Sequence, residues 1–588
     1  MEIVCGKYPG AKLPMSTHAH GRAKLLAGCR YKKIVKMVVG AKRTIHHVPS
    51  RGKISIMKLQ NFTEQKRLPV LRILYGSLMV LLSSIMILID PVQLVTNWIL
   101  DVKEGSFIYK TWEKLPYQLY AEVWVYNYTN VPEYLNGEDT VLKVKEVGPF
   151  LYEEFRTNSN ITVDKERGVM TMIPNIRLQF LRNQSIADTN DVNIYVPNIA
   201  LLAISTLLAD QLGYFANAGA YYSINALGSK LFRNLTVEEL LWGYEDPIVT
   251  IASSLLPAWI DFQKIGILDR FYASKEETVE VEIADEETRF SIINWNDSPG
   301  IVEQGFKDLN TSIPCNRARG TYEGIMMKSH LKKNTTIPIH RRQACRIIPF
   351  SYQEVVDDKY GFEYYRYMME SSAFNSSSRY ACNCNKNCLP DGFVDISNCY
   401  YGFPITLSKP HFMDADPQQQ SYYQGMNPDP KKHSSILDVE PTMGVPLALS
   451  SKMQVNLAVR MSAGNPITKP LKDKIVPMLW LSLYCKEPPP EILSLLRLRL
   501  VIGPPLIITI EVLLFVIGFT IGIVGFYRFL RPTYEVINII DDKKHPHIIT
   551  DRNLVSENVA YENEQLAKEA VTLLAIKEDD IPNVYVDT

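Results

Sequence analysis

Two long apolar segments, one near each end, constrain this chain more than any other feature. The second, at 506–527, contains a single charge, Glu511. A helix rises ~1.5 Å per residue, so a segment of this length can cross the ~30 Å hydrocarbon core of a membrane. The first, at 73–89, is shorter, and a helix that also takes in 68–72 becomes long enough. We therefore predict transmembrane helices at 68–90 and 504–527. A buried core helix is the less favoured interpretation of the first.

The charge distribution predicts the orientation. Residues 1–67 carry fifteen Lys and Arg but only two Glu, which places this basic head in the cytosol. Two crossings return the tail, 528–588, to the same side and leave 91–503 extracellular or lumenal. The first apolar segment begins too far along the chain for a cleaved signal peptide, so we interpret it as a signal anchor. The head either contacts anionic lipid or, as we favour, is solvated and disordered, and we expect no nucleic-acid partner.

Cysteine usage agrees with an exterior middle segment. Seven of the nine cysteines lie between the apolar segments, and six of these are clustered between positions 315 and 399. Such clusters form disulfides in oxidising compartments. A zinc site at 382–399 is an alternative, but the spacing lacks paired C-x2-C motifs. The seven are Cys315, Cys345, Cys382, Cys384, Cys388, Cys399 and Cys485.

The same segment contains eight Asn-x-Ser/Thr sequons, which predict a heavily glycosylated surface. A further sequon at Asn61 is expected to stay unmodified because it lies in the cytosolic head. The eight predicted sites are Asn127, Asn160, Asn183, Asn234, Asn296, Asn310, Asn334 and Asn375.

Strand patterns dominate the middle segment. Residues 141–147 and 279–283 alternate apolar and polar side chains, as half-buried strands do. A helix signal begins at Thr236 and ends near Gly243, and residues 198–212 are apolar nearly all round. Strands dispersed without β-α-β alternation favour an α+β domain built on an antiparallel sheet or barrel with helical insertions.

Several longer motifs carry a resemblance to a known family. CNCNKNCLPDGFVDISNC at 382–399 is followed by GFPITLSKPHF at 402–412, GMNPDPKKH at 425–433 and LDVEPTMGVPL at 437–447. Together with the upstream motifs VYNYTN, EVGPF and ELLWGYEDP, this order resembles the class B scavenger receptors. That family includes the fatty-acid translocase, croquemort and the lysosomal integral membrane protein. The resemblance extends from about the first apolar segment to the second.

The resemblance implies a two-pass receptor with an antiparallel β-barrel-like ectodomain, a helical bundle at its apex and a lipid tunnel. It also implies the disulfides Cys315–Cys382, Cys345–Cys399 and Cys384–Cys388, one of fifteen pairings that six cysteines allow. Cys485 departs from the family pattern. An inert thiol or a further pairing is favoured for it over a cross-link between receptors or a lipid-binding role.

Two surfaces are candidates for ligand capture. The apex segment 198–233 contains few charges, so a purely electrostatic capture of anionic particles is disfavoured there. A basic cluster between Cys315 and Cys345 could bind anionic headgroups or acidic proteins, although a solvated loop is equally favoured. Its members are Lys328, His330, Lys332, Lys333, His340, Arg341 and Arg342.

The second apolar segment and the tail contain short motifs of lower specificity. Gly518 and Gly522 form G-x-x-x-G, which pairs protomers or packs against the first helix. In the tail, Tyr534 and Ile537 fit a tyrosine-based sorting signal that binds clathrin adaptors. Glu569, Leu573 and Leu574 fit an acidic dileucine signal, for which a surface helix is the alternative.

These observations predict a scavenger receptor that binds lipids or lipoproteins and transfers fatty acid, sterol or carotenoid to the membrane. We expect it at the plasma membrane, with endosomal or lysosomal membranes as further locations. The alternatives are a lysosomal sorting receptor for a hydrolase and a sensory neuron membrane protein. The sequence has no G-x-S-x-G, H-E-x-x-H or phosphate-loop motif, so we predict neither an enzyme nor a cofactor.

Overall fold

The computed structural model describes residues 66–211, 213–273, 276–357, 359–382, 388–460 and 465–531. The helices are α1 (Arg67–Ile89), α2 (Pro91–Leu100), α3 (Phe107–Glu113), α4 (Val131–Asn136), α5 (Ile199–Gln211), α6 (Tyr214–Ala226), α7 (Val237–Trp242), α8 (Pro247–Leu255), α9 (Ile267–Phe271), α10 (Pro417–Ser421), α11 (Pro430–His433), α12 (Pro490–Arg497) and α13 (Gly503–Leu530). A π turn, Leu498–Ile502, joins α12 to α13.

The strands are β1 (Leu119–Tyr128), β2 (Leu142–Asp164), β3 (Val169–Phe180), β4 (Asn193–Pro197), β5 (Phe232–Thr236), β6 (Tyr244–Glu245), β7 (Lys264–Ile265), β8 (Val279–Glu282), β9 (Ile292–Trp295), β10 (Thr336–Arg341), β11 (Arg346–Val356), β12 (Tyr364–Met369), β13 (Val394–Asp395), β14 (Ile405–Ser408), β15 (Tyr423–Gln424), β16 (Ile436–Glu440), β17 (Val445–Ala458) and β18 (Ile475–Cys485).

One large sheet organises the domain between the two end helices. Its order is β10-β11-β12-β16-β17-β18-β1-β2-β3-β8-β9, and each neighbouring pair on this path is antiparallel. β13 joins through β14 to β17, and β15 pairs in parallel with β2. β4 pairs with β5 and β6 with β7, outside the main sheet. The predicted antiparallel, sheet-based α+β domain is therefore confirmed.

Local elements also follow the sequence patterns. In β2, Leu142 and Val144 are buried while Lys143 and Lys145 are exposed, as alternation predicts. The predicted helix start at Thr236 is a complete capping box with Glu239, and α7 ends before Gly243. The all-round apolar segment forms α5, whose first turns lie in the core.

The two edges of the large sheet are joined by one short segment, 320–322, between β9 and β10. The amide of Gly320 donates to Ile292 at 2.9 Å, and the amide of Ile292 donates back to Thr321 at 2.7 Å. On the other side, the amide of Tyr322 donates to Pro338 at 2.9 Å and His340 donates to Tyr322 at 2.8 Å. Both edge strands therefore find backbone partners in the same segment.

Two helices in the described residues, at the ends of the described chain, are long and apolar enough to cross a membrane. The first is Arg67–Ile89, so the predicted extension beyond 73–89 is confirmed as helix. The second is continuous over 41 residues, Pro490–Leu530, and begins well before the predicted 504. Its first turns belong to the domain, because Ile492 and Leu496 are buried in the core.

The end helices approach closely through glycine. A Cβ built on Gly76 would lie 2.5 Å from the carbonyl oxygen of Gly518, so a larger residue cannot be accommodated there without movement. The Ser83 hydroxyl donates to the carbonyl oxygen of Glu511 at 3.0 Å. Gly518 of the G-x-x-x-G motif therefore packs against the first helix, which was one of its two predicted roles.

Candidate functional site

Three of the cavities in the sheet domain are candidates for ligand binding. The largest, about 590 Å³, lies between β2, β3 and the segment after α9, with Phe155, Ile176 and Phe271 in its walls. A middle cavity of about 30 Å³ shares Phe271, Tyr272 and Gln343 with it. The lateral cavity and the middle cavity therefore have a common wall at this point.

The middle cavity lies among the central strands. Met453 and Val455 of β17 and Leu481 and Leu483 of β18 form its apolar side. Arg341, Tyr272, Gln343 and Ser451 contribute polar groups to the same cavity. It is thus lined on one side by hydrocarbon and on the other by hydrogen-bonding groups.

A third cavity, also about 30 Å³, lies at the end of the domain from which the second long helix leaves. It is lined by Tyr117, Leu447, Leu449 and other apolar groups, together with Arg156 and Glu323. Cys485 also lines it, shortly before α12 begins at Pro490. Of the three cavities, this one is therefore lined by the residue closest in sequence to the start of the second membrane-length helix.

Charged side chains lie between the middle and the third cavity. The Arg156 guanidinium is paired with Glu154 at 2.5 Å, and the Tyr272 hydroxyl donates to the other carboxylate oxygen of Glu154 at 2.9 Å. Glu323 is half-buried and lines the third cavity. Removal from water raises its pKa to about 7, although Arg156 and Arg341 oppose that shift. We define the charged layer as Glu154, Arg156, Tyr272, Glu323 and Arg341. Only Arg341 among them was identified from the sequence, and there as a member of the basic cluster.

The sequence contains one signal for this layer. Glu154 and Arg156 lie two positions apart on β2 and so face the same side of the sheet. That spacing is common on exposed strands, and the other three members come from distant segments. Only the folded topology brings them together.

The structure contains disulfides Cys315–Cys382 and Cys345–Cys399, with Cα atoms 5.4 and 6.5 Å apart. Cys388 is also disulfide-bonded, while Cys384 lies outside the described residues. Cys485 is a free, buried thiol whose Sγ donates to the carbonyl oxygen of Glu487 at 3.2 Å. Burial raises the pKa of this thiol to about 11, which keeps it in the less reactive protonated form.

Most predicted glycosylation sites are accessible. Asn127 and Asn375 are only half-buried, and the Asn127 side-chain oxygen accepts from the amide of Tyr195 at 2.9 Å. The exposed sites are Asn160, Asn183, Asn234, Asn296, Asn310 and Asn334.

The predicted basic cluster is divided between surface and interior. Lys332 and Lys333 are exposed, and Lys328 is paired with Glu287 at 2.8 Å. Arg342 is paired with Glu277 at 3.0 Å and lines the largest cavity.

The C-terminal members of the cluster turn inward. Arg341 is buried and lines the middle cavity. His340 is also buried, which lowers its pKa to about 3, so it is neutral at physiological pH. His330 lies 3.8 Å from the carboxylate of Glu286 on the surface. The cluster is therefore not one continuous cationic surface.

The helical insertion around α5, α6 and α8 exposes large apolar side chains. Phe215 is 87% exposed, and Tyr214 and Tyr222 of the same helix also face outward. On α8 and the turn after it, Leu255 and Leu256 are exposed as well. This set of five side chains, the apolar apex, agrees with the low charge predicted for the segment.

Several predicted features lie outside the described residues. They are the basic head before residue 66 and the sorting signals at Tyr534, Ile537, Glu569, Leu573 and Leu574. Among the described residues, no group of three or more His, Cys, Asp or Glu side chains is placed to hold a metal ion.

The fold and site define a class: a disulfide-bonded antiparallel sheet domain with internal apolar cavities, held between two membrane-length helices. The chain belongs to the CD36 family, whose model matches residues 74–529. It is 31% identical to scavenger receptor class B member 1 of Rattus norvegicus, over 69% of this chain and 78% of that protein. It is also 28% identical to lysosome membrane protein 2 of Mus musculus, over 72% of this chain and 88% of that protein. The resemblance inferred from the motifs is confirmed.

Proposed function

We propose that this protein is a receptor that binds lipids or lipoprotein particles and passes hydrophobic lipid to its own membrane. The observation that carries the proposal is the set of cavities: the largest and the middle one share wall residues, and the third is lined by Cys485, close in sequence to the start of the second long helix. Similarity to proteins named as scavenger receptors supports a receptor role rather than an enzymatic one.

We infer that the sheet closes into a barrel and that the cavities are segments of one tunnel. The hydrogen bonds of 320–322 to both edge strands support closure. The ring centroids of Trp295 on β9 and His340 on β10 lie 4.3 Å apart across the same seam. The two small cavities each have room for about one water molecule, so passage of a lipid requires their side chains to move apart.

The proposed membrane arrangement keeps helices 68–90 and 504–527 in the bilayer, the domain 91–503 outside, and 1–67 and 528–588 in the cytosol. Helix α2 supports this arrangement because it follows α1 directly and exposes Leu94, Val95 and Trp98. Arg499 holds this helix to the second long helix through Gln93 at 3.1 Å. We assign α2 to the exterior surface of the bilayer, where Trp side chains are favoured.

Capture of a particle would use the apolar apex. Its exposed side chains suit a lipid surface or an apolar protein face better than a polyanion. In the tunnel, each CH₂ kept out of water is worth ~0.8 kcal/mol, so a continuous apolar path lowers the barrier to lipid transfer. Transfer down a concentration gradient needs no catalytic group.

The proposed covalent features complete the exterior domain. We assign the third disulfide to Cys384 and Cys388, and N-linked glycans to the eight sequons. Six of the eight asparagines are exposed, which supports their modification.

Filling the third cavity tests the tunnel. Ala448 lines it, and Ala448→Phe places a ring in a space of about 30 Å³, whereas Ala448→Ser leaves the volume nearly unchanged. Full-length chains are expressed in cells at matched surface levels, and uptake of a fluorescent fatty acid and a fluorescent sterol ester is measured. We expect Ala448→Phe to reduce uptake several-fold while particle binding at the surface is retained.

Normal uptake by Ala448→Phe would contradict a tunnel through this cavity. Mass spectrometry of lipids that co-purify with the full chain provides an independent check. A chain that carries no lipid and raises no uptake would contradict the receptor proposal as a whole.

A second candidate is a sorting receptor for a protein cargo, favoured by similarity to lysosome membrane protein 2 over 88% of its length. Replacing Leu573 and Leu574 with alanine tests the proposed dileucine signal. We expect the variant to accumulate at the plasma membrane, and an unchanged distribution would count against lysosomal delivery by this signal.

A further inference from the structure

A further pocket, with charged and polar side chains in its lining, lies beside the two edge strands of the large sheet. Its volume is about 130 Å³, room for several water molecules. Trp295 lines it from β9 and His340 lines it from β10. The lining also includes Asn296, an exposed residue and one of the predicted glycosylation sites. A sequon asparagine is therefore part of the wall of a polar pocket.

A tight turn fixes the position of Asn296. The Trp295 amide donates to the Ser298 carbonyl oxygen at 2.7 Å, and the Ser298 amide donates back to Trp295 at 3.0 Å. Between them, Asn296 and Asp297 have φ values of 50° and 61°, and two positive φ values in succession define a type I′ turn. Because Asn and Asp adopt this left-handed backbone more readily than most residues, the turn suits its sequence. A glycan on Asn296 would therefore begin at a fixed point of the pocket wall.

The Trp295 indole beside this turn is held on two sides. Its Nε1 donates to the carboxylate of Glu277 at 3.0 Å, and its ring centroid lies 4.3 Å from that of His340. Trp295 is only half-buried, so part of its surface remains accessible. The face of a pyranose ring carries C–H groups, and packing that face against an indole removes apolar surface of both from water.

The polar groups of the lining favour a neutral ligand. Arg342 is paired with Glu277 at 3.0 Å and Arg270 with Asp269 at 2.5 Å, so both guanidinium groups have a counter-charge. His340 is 6% exposed, and its Nδ1 has no hydrogen-bond partner in the described part of the chain. The hydroxyl and acetamido groups of a sugar carry donors of the kind that this nitrogen lacks.

We propose that this pocket binds the first N-acetylglucosamine of a glycan on Asn296, with the sugar ring packed on Trp295, so that this sugar is a structural part of the domain. The inference rests on the proposed glycosylation of Asn296 and adds where the sugar lies. Because both edge strands line the pocket, the sugar contacts both β9 and β10. It also covers the Cys345–Cys399 disulfide, since both cysteines line the same pocket.

The test compares the unaltered full chain with Asn296→Asp and Asn310→Asp, all expressed in cells that make only high-mannose glycans. Aspartate tolerates the left-handed backbone at position 296, so Asn296→Asp removes the glycan with little strain. Asn296→Gly accepts the same backbone without adding a charge and should give the same results. Asn310 is an exposed sequon asparagine outside the pocket lining, and it controls for the loss of one glycan.

Thermal unfolding in nanodiscs is measured before and after endoglycosidase H, which leaves one N-acetylglucosamine on each glycosylated asparagine. We expect Asn296→Asp to lower Tm by about 1–3 °C, by the same amount before and after trimming. Asn310→Asp should leave Tm unchanged. An equal loss after trimming assigns the effect to the first sugar rather than to the outer ones.

Reduction of the disulfide gives a second, local measurement. The folded chains are treated briefly with dithiothreitol, new thiols are alkylated, and mass spectrometry measures the alkylated fraction of Cys345 and Cys399. We expect this fraction to be several-fold higher in Asn296→Asp than in the unaltered, trimmed chain, and unchanged in Asn310→Asp. If the variants fail to fold, removal of the whole glycan from the folded unaltered chain by peptide-N-glycosidase F replaces them in both assays.

Equal Tm values or equal alkylation of Asn296→Asp and the unaltered chain would overturn the inference. A loss of Tm that disappears after trimming would also overturn it, because the outer sugars would then carry the effect. An unmodified Asn296 in the unaltered chain, detected by mass spectrometry of its peptides, would instead refute the proposed glycosylation of this site, and the inference with it.

Discussion

The half-buried carboxyl of Glu323 predicts a pH-dependent stability that one substitution should remove. Its pKa is raised from 4.5 to about 7, chiefly by burial. The folded state therefore keeps its proton over a pH range in which the unfolded chain has already lost it. Since the folded state binds more protons there, stability falls as the pH rises from about 4.5 through 7.

The magnitude follows from the shift. The rise of the Glu323 pKa from 4.5 to about 7 corresponds to roughly 3 kcal/mol at pH values above both pKa values. Between pH 5 and pH 8, linkage assigns roughly 2–3 kcal/mol of this change to Glu323. Glu323→Gln has nearly the same shape and no titratable group. The free energy of unfolding of Glu323→Gln, relative to that of the unaltered chain, should therefore increase by the same amount from pH 5 to pH 8.

The assay is thermal unfolding of the full chain in nanodiscs at pH 5, 6, 7 and 8. Unfolding a domain of roughly 400 residues has an entropy of ~0.84 kcal/mol/K, so the expected relative gain in Tm is ~3 °C. His340 and His433, with pKa values lowered to about 3 and about 4, destabilise the fold as the pH falls below 6.5. They do so in both proteins and cancel in the difference.

Glu138→Gln, at an exposed position after α4, controls for the loss of one carboxyl group. A difference in Tm between Glu323→Gln and the unaltered chain that stays constant from pH 5 to pH 8 would refute the reasoning. So would an advantage that is largest at pH 5.

Three other features give direct predictions. Gly76→Ile should lower stability by ~1–3 kcal/mol in thermal unfolding, because a Cβ there meets the backbone of Gly518. Gly522→Ala should change stability little, since the space around its Cβ is open. Equal stabilities of the two variants would contradict the helix contact. Replacing both Cys345 and Cys399 by serine removes a crosslink between positions 54 apart in the chain. The loss should lower the free energy of unfolding by ~4 kcal/mol in a denaturant titration. An unchanged denaturant midpoint would contradict this. Bromolipids in nanodiscs should quench the fluorescence of Trp98, which is 74% exposed on α2. Trp98→Phe should therefore lose part of the quenching. Identical quenching of the two chains would place α2 away from the bilayer.

Much of the architecture could be predicted because local sequence patterns specify it. Alternation located β2 and β8, the capping box located α7, and length and apolarity located the two end helices. The order of strands in the sheet could not be read this way. β1 lies between β2, which ends at Asp164, and β18, which begins only at Ile475, and no local signal specifies such a distant pairing.

The cavities were harder to predict than the sheet for a related reason. Arg341 had the appearance of one more charge in a basic surface cluster, because a sequence shows the density of charge but not the direction of a strand's side chains. The final residue of β10 turns inward, and Ser451, which lines the same cavity, comes from β17. A site assembled from single residues on distant strands has no motif.

The second long helix has a mechanical consequence. Because Pro490–Leu530 is unbroken, and Ile492 and Leu496 fix its first turns in the core, the domain cannot change its inclination without the helix doing the same. A transmembrane helix whose length exceeds the local bilayer thickness can tilt to fit. In the proposed membrane arrangement, a change in bilayer thickness should therefore change the inclination of the domain.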